Sequence, residues 1–247
     1  MKLLDLFSGI GGFSLAARWA GIETVGFCEI DPYCRRVLEK NFSGVPIHGD
    51  IRTLRGDEFG PIDIITGGDP CQPHSNAGKR KGKADDRYLW PEMLRVIQRC
   101  KPNWIVNENV VGSVSNLVLD TKISDLEAIG YACRPFIIPA CGVEAPHLRE
   151  RVWLIANASG LGRKEGGDRA VYRAENEKNA GAKFTGLLES TGKWKVNPGI
   201  RLLDDGVPGR LDRLKALGNA IVPQIAYQIF KAIFLASNSI QKQEVGT

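Results

Sequence analysis

Apolar residues over the first 156 positions come in short runs, separated by stretches with a helical period. Residues 2–7 (KLLDLF) read as a buried strand, followed by a glycine turn and a helix near 13–20. Residues 24–28 (TVGFC) predict a second strand. Asp31 and Pro32 then open a helix that runs to about Asn41, with Asp as N-cap and Pro in the first helical position. A third strand is expected at 62–66 (IDIIT) and a fourth at 104–106. Between them, residues 88–100 place Leu89, Met93, Ile97 and Cys100 on one helical face. A further helix ends at Gly130, a good C-terminal stop, and residues 133–138 and 151–156 supply two later strands. Strands alternating with helices at this spacing predict an α/β domain with a mostly parallel sheet.

The pattern changes at Asn157. Residues 157–200 hold eight Gly, eight Lys or Arg and five Asp or Glu, with few apolar positions, so a loop-rich excursion is expected. Order returns from Leu202, and residues 223–236 (PQIAYQIFKAIFLA) form an amphipathic helix with a frayed polar tail from Ser237. The chain therefore divides into a main domain over 1–156, the excursion over 157–200 and a C-terminal segment, 201–247, that returns to the main domain. The 247 residues carry 33 Lys or Arg against 28 Asp or Glu, a net +5 that permits a polyanionic partner without demanding one. No uncharged apolar run approaches the ~18 residues of a membrane span. Asp5 interrupts what would be the apolar part of a signal peptide, so secretion is not expected. The six cysteines form no C-x-x-C pair, which argues against zinc and fits reduced cytosolic thiols.

Five segments carry candidate chemistry. Asp5-Leu6-Phe7-Ser8-Gly9-Ile10-Gly11-Gly12 ends a strand and opens a helix, where α/β sheets bind nucleotides. Glu29 follows the second strand at the distance that suits two ribose hydroxyls, and Asp50 follows a plausible third element and could accept from an adenine amino group. A dinucleotide fold makes the same demands, but its fingerprint wants Gly or Ala where Ser14 stands, which points to a ligand without phosphates. Gly67-Gly68-Asp69-Pro70-Cys71-Gln72-Pro73-His74-Ser75 puts a cysteine on a stiff loop, where amides and the basic residues that follow favour the thiolate. Those basic residues, Lys79, Arg80, Lys81, Lys83 and Arg87, suit a loop over a polyanion or, alternatively, a solvated surface. Asn107-Glu108-Asn109-Val110 offers a carboxylate at a strand end. Arg149 and Arg151, two apart in extended chain, project to one side and suit a phosphate or a pyrimidine oxygen. Leu217-Gly218-Asn219-Ala220-Ile221-Val222-Pro223 precedes the last helix.

In this order the motifs resemble the DNA (cytosine-5) methyltransferase family, over residues 1–156 and about 200–235. The resemblance implies a Rossmann-like S-adenosylmethionine-dependent methyltransferase fold with a small target-recognition region. It implies Cys71 as the nucleophile on C6 of a flipped cytosine and Glu108 as the group at N3. It gives Arg151 the cytosine O2 and the steadying of Glu108, and Arg149 a phosphate. Phe7, Gly9, Gly11, Glu29, Ile30, Asp50, Ile51, Leu89 and Asn219 match cofactor-binding positions for S-adenosylmethionine, whose product is S-adenosylhomocysteine. Lys79, Arg80, Lys81 and Arg87 would meet DNA. The last helix should pack near the first strand, so that the Asn219 segment completes the cofactor site. Double-stranded DNA is the implied partner, with a companion restriction endonuclease as a further candidate, for a cytoplasmic, monomeric protein of a prokaryotic or phage-infected cell.

Three positions depart from the family pattern: Asp69 where an aromatic residue is frequent, His147 where Gln is usual, and an excursion short for target recognition. Asp69 is expected to alter the packing of the loop. The same chemistry on tRNA and a non-catalytic DNA-binding relative are the competing readings. An NAD enzyme is disfavoured by Ser14.

Overall fold

A computed structural model describes residues 1–70, 88–115, 118–145, 147–158 and 210–244. Cys71, the basic residues 79–87 and residues 159–209, hence nearly all of the excursion, lie outside the described residues.

The strands are β1 (Lys2–Leu6), β2 (Glu23–Cys28), β3 (Ile47–His48), β4 (Ile64–Gly67), β5 (Trp104–Val110), β6 (Ala132–Pro139) and β7 (Glu150–Asn157). They form one sheet in the order β3-β2-β1-β4-β5-β7-β6. The first five are parallel, but β7 runs antiparallel to both β5 and β6. The sheet is therefore mostly parallel, as expected, with β7 the one strand that runs against its neighbours. The reason is connection length. Residues 140–149 are too few for a helical crossover and can only turn the chain back. A 3-10 turn at Ala140–Val143 and a bond from Ala140 N to Leu148 O (2.7 Å) close that turn.

The helices are α1 (Gly12–Trp19), α2 (Pro32–Asn41), α3 (Trp90–Cys100), the single turn α4 (Gly112–Ser115), α5 (Val118–Ala128), α6 (Arg210–Asn219) and α7 (Pro223–Glu244). Asp31 caps α2 as expected, its carboxylate accepting from Tyr33 N at 2.8 Å and Cys34 N at 3.4 Å. Both faces of the sheet are buried, which is why its central strands read as nearly continuous apolar runs. Leu3, Ile64, Val106 and Trp153 pack with α1 and α7 through Phe13, Ile225, Ala226, Ile229 and Phe230. Leu4, Leu6, Ile65, Ile105 and Leu154 pack on the opposite face with α3 and α5 through Trp90, Met93, Ile97 and Leu126. The expected face of α3 is inward, widened by Trp90 and Val96.

The C-terminal segment differs from expectation in three ways. Helix α6 was not foreseen. Helix α7 continues to Glu244 instead of fraying at Ser237, whose hydroxyl donates to Ile233 O (2.9 Å) and accepts from Trp104 Nε1 (3.2 Å). Third, Ala216–Asn238 is long and apolar enough, by length and composition, to cross a membrane. It is nevertheless broken before Pro223, and Ile225, Ala226, Ile229, Phe230 and Ile233 are buried against α1 and the sheet while Leu217, Phe234 and Leu235 are exposed.

Asp5 lies in the middle of this core. It is wholly buried, and Ser14 Oγ (2.7 Å) and Thr66 Oγ1 (3.0 Å) donate to its carboxylate, tying β1 to α1 and β4. Ser14 thus occupies the place of the dinucleotide glycine because a buried carboxylate needs its hydroxyl. Burial pushes the Asp5 carboxyl up to about 7 although both hydroxyls pull it down. A carboxyl raised in the folded state keeps a proton that the unfolded chain has already released. Its contribution to stability is therefore lost as pH rises from about 4 to about 7. Asp5→Asn cannot ionise, so its urea midpoint is expected to gain on that of the wild type as pH rises from 5 to 8. Parallel pH profiles for the two proteins would refute this.

Candidate active site

Two loops leave the carboxyl ends of adjacent strands β1 and β4, where the strand order reverses. There the chain passes to opposite sides and opens a crevice suited to a ligand. The loop after β1 is backbone-strained. Phe7, Gly9 and Gly11 have φ of 52°, 53° and 87°. Phe7 pays a steric penalty for a left-handed conformation that the glycines take freely. Gly11 has a second constraint, since a Cβ there would lie 2.6 Å from the Phe42 ring. Above Gly9 a Cβ would meet nothing within 4 Å, which leaves space beside the backbone.

Glu29 is buried and ties the loop after β1 to the loop after β2, on one side of the crevice. Its Oε2 accepts from Gly9 N at 2.7 Å and its Oε1 from Asp31 N at 2.8 Å. Ile30, 63% exposed, stands next to it as an unpacked apolar surface. Asp50 forms the next turn, its Oδ1 accepting from Arg52 N at 3.0 Å. The Ile51 side chain is in the core and not on the crevice. Arg95 pins this turn, donating to Ile51 O (2.7 Å) and Leu54 O (2.9 Å). Leu89 is half-buried at the start of α3. Asn219 is exposed at the end of α6, and the segment after it reaches α1, where a Cβ on Gly12 would lie 2.7 Å from Ile221 Cγ1. Helix α7 meets the first strand's neighbourhood mainly through α1. An open space over Gly9, an exposed apolar side chain and a fixed carboxylate suit an adenosine-type ligand such as S-adenosylmethionine. Glu29 would hold the ribose, Ile30 and Phe7 would flank the base, and Asp50 would take its amino group.

On the other side of the crevice, Glu108 was expected just past a strand ending at Val106. It lies instead inside β5, which runs on to Val110. The extension comes from β7, which pairs Glu108 with Trp153 and Val110 with Arg151 after β4 has ended opposite Asn107. Glu108 is therefore on a rigid strand that overshoots its neighbour. A Cβ on Gly68 would lie 3.5 Å from both Glu108 O and Oε2, so the carboxylate rests against the backbone three residues before Cys71. Arg151 Nε is 3.1 Å from Glu108 Oε1. Burial pushes the Glu108 carboxyl above its usual range, and the cations of Arg151, Arg149 and Lys122 recover part of that shift.

Arg149 corrects the sequence reading. Its φ of 25° breaks the extended chain, so it does not project in parallel with Arg151. Its Nη2 donates to Gly218 O (2.9 Å) and Ala220 O (2.7 Å), the two carbonyls that flank Asn219. Arg149 thus fastens the hairpin to the α6–α7 turn. Burial and the neighbouring Arg151 lower its pKa. Lys122 had no place among the expected site residues, and it grips Asp69 together with Asn107 and Asn109 of the Glu108 motif. The only sequence signal of Lys122 was polarity within an element that otherwise buries apolar residues.

The sequence profile of C-5 cytosine-specific DNA methylases matches residues 1–196. The chain belongs to the C-5 cytosine-specific DNA methylase family. Type II methyltransferase M2.BsuMI of Bacillus subtilis is 35% identical over 165 residues, covering 64% of this chain and 42% of that protein. Type II methyltransferase M.AquIA of Picosynechococcus is 34% identical over 180 residues, covering 64% of this chain and 73% of that one. The crystal structure of S. pombe Dnmt2 methyltransferase is similar with a TM-score of 0.56 and 27% identity, over 64% of this chain and 50% of that one. The chain spans under half of the first relative's length and about three-quarters of the second's. The matched part of the chain includes the crevice, Glu108 and both arginines, and α6 and α7 follow it.

Proposed function

We propose that this chain transfers a methyl group from S-adenosylmethionine to C5 of cytosine in double-stranded DNA, leaving 5-methylcytosine and S-adenosylhomocysteine. The observation that carries this reading is the Glu108–Arg151 pair, with the Glu108 carboxylate buried against Gly68, three residues before Cys71.

The target base must leave the stack, because C6 is out of reach inside a duplex. The Cys71 thiolate adds to C6. Glu108 shares its proton with N3, so charge does not build up in the ring, and C5 becomes nucleophilic. Bound S-adenosylmethionine supplies an electrophilic methyl group. C5 takes that methyl, then loses its proton to a base, and the Cys71–C6 bond breaks to return the thiolate. Covalent addition divides one difficult substitution into easier steps. Arg151, held on Glu108, faces the pyrimidine O2. Arg149 acts through the Asn219 turn, and the phosphate contact falls to Lys79, Arg80, Lys81 and Arg87. Target recognition falls to the 157–200 region, within the cytoplasm of a prokaryotic or phage-infected cell, alongside a companion restriction endonuclease.

Two measurements test the reading. Bisulfite sequencing of DNA from expressing cells is expected to find protected cytosines within one short motif. Purified protein with labelled cofactor is expected to label duplex DNA and not tRNA. Label in tRNA alone would move the reaction to RNA. Tight DNA binding with no 5-methylcytosine would make the chain a non-catalytic binder.

A further inference from the structure

Just beyond the carboxyl end of β4, three polar side chains are withdrawn from water. Asp69, Asn107 and Lys122 are 4%, 2% and 1% exposed. Lys122 comes from the middle of α5. Its Nζ donates to Asp69 Oδ1 and, at 2.9 Å, to Asn107 Oδ1. Asn107 Nδ2 donates to Asp69 Oδ1 and to Gly67 O, both at 2.8 Å. Asn109 Nδ2 reaches the main-chain oxygen of Asp69 at 3.2 Å. The Lys122 ammonium also sits 5.1 Å from the centre of the Trp90 ring.

Stability does not explain this cluster. Desolvating both charges consumes most of the attraction between them, and an apolar pair of similar volume commonly serves a core as well or better. What the cluster joins is more informative. Asn107 and Asn109 flank Glu108, and strand alternation places them on one face of β5 and Glu108 on the other. Asp69 precedes Cys71 by two residues, with only the conformationally restricted Pro70 between them. Lys122 is the third point, set on α5, an element separate from both the loop and the strand.

We propose that Lys122 is a positioning residue: by locking Asp69 to Asn107 it fixes the root of the nucleophile loop relative to the Glu108 strand. Thiol and acid then meet C6 and N3 of one pyrimidine ring. The inference rests on the methyl-transfer reading above. A misplacement of about 1 Å between such groups costs roughly 100-fold in rate.

The test is the rate of covalent trapping on duplex DNA carrying 5-fluorocytosine, with saturating S-adenosylmethionine, per cofactor-binding molecule. Lys122→Met alone strands a buried carboxylate and is expected to destabilise the chain. The deciding variant is therefore Asp69→Asn with Lys122→Met, which removes both charges. It is expected to keep cofactor and DNA dissociation constants within about twofold of wild type while trapping about 100-fold more slowly, and in methyl transfer to ordinary duplex DNA the loss is expected in kcat and not in KM. Lys122→Arg keeps the charge but not the compact ammonium, and is expected to fall between. Wild-type trapping rates in the double variant, or a loss carried by KM alone, would overturn the proposal. A wild-type protein that traps nothing would instead remove the methyl-transfer reading itself.

Discussion

Cys71→Ala forms no covalent complex with duplex DNA containing 5-fluorocytosine, whereas the wild type accumulates one that survives denaturation. The expectation follows from how the proposed reaction ends. After methyl transfer, release requires loss of the C5 substituent and departure of the thiolate. Fluorine at C5 cannot leave as a cation, so the sulfur–C6 bond persists. An alanine has no atom that can add to C6, and none of the other steps can proceed without that addition. Methyl transfer to ordinary DNA is expected to fall by roughly 10⁴-fold or more, as when a nucleophile is deleted from a catalytic set that acts as a unit. Cofactor binding is expected to stay within about twofold, because Glu29, Ile30 and Asp50 lie on other loops. Equal trapping by variant and wild type would remove covalent catalysis from this protein.

Glu108→Gln is expected to lower methyl transfer by about 10²- to 10⁴-fold, the range for loss of a positioned acid. The isosteric amide still fits against Gly68 and still accepts from Arg151, so folding should be spared. What it lacks is a proton to share with N3. The pH profile separates this from a steric effect. Burial raises the Glu108 carboxyl, so its protonated form persists further toward neutrality than for an exposed glutamate. Activity that needs the protonated form falls as pH rises through that raised value, and Glu108→Gln should lose this descending limb. Arg151 contributes the largest of the downward pulls on Glu108. Arg151→Ala should therefore shift the limb to higher pH while lowering the maximum rate. A Glu108→Gln profile with the wild-type limb would assign the titration to another group.

Much of the architecture could be read along the chain because its causes are local. Asp31 caps the very helix that its carboxylate and Pro32 predict. The inward face of α3 follows from the spacing of Leu89, Met93 and Ile97, and the motif loops fall at strand ends because glycine and proline stop the apolar runs there. Each of these depends on residues within a turn or two.

Partners distant along the chain were not legible in that way. Nothing near Lys122 announces that it is buried, since its anchor Asp69 is 53 residues away. Asp69 itself stood out only as a departure from the family pattern, and its partners Asn107 and Lys122 come from β5 and α5. The continuation of β5 through Glu108 needs the ladder with β7, which arrives more than 40 residues later. Arg149 turns from the expected parallel pair because the carbonyls around Asn219 lie some 70 residues on. Residue types and local periodicity settled the elements, their caps and the chemical inventory of the site. The relative placement of acid, arginines and loop root was settled by sheet order and helix packing, because a buried charge or an unpaired strand edge is satisfied only by groups that folding brings alongside.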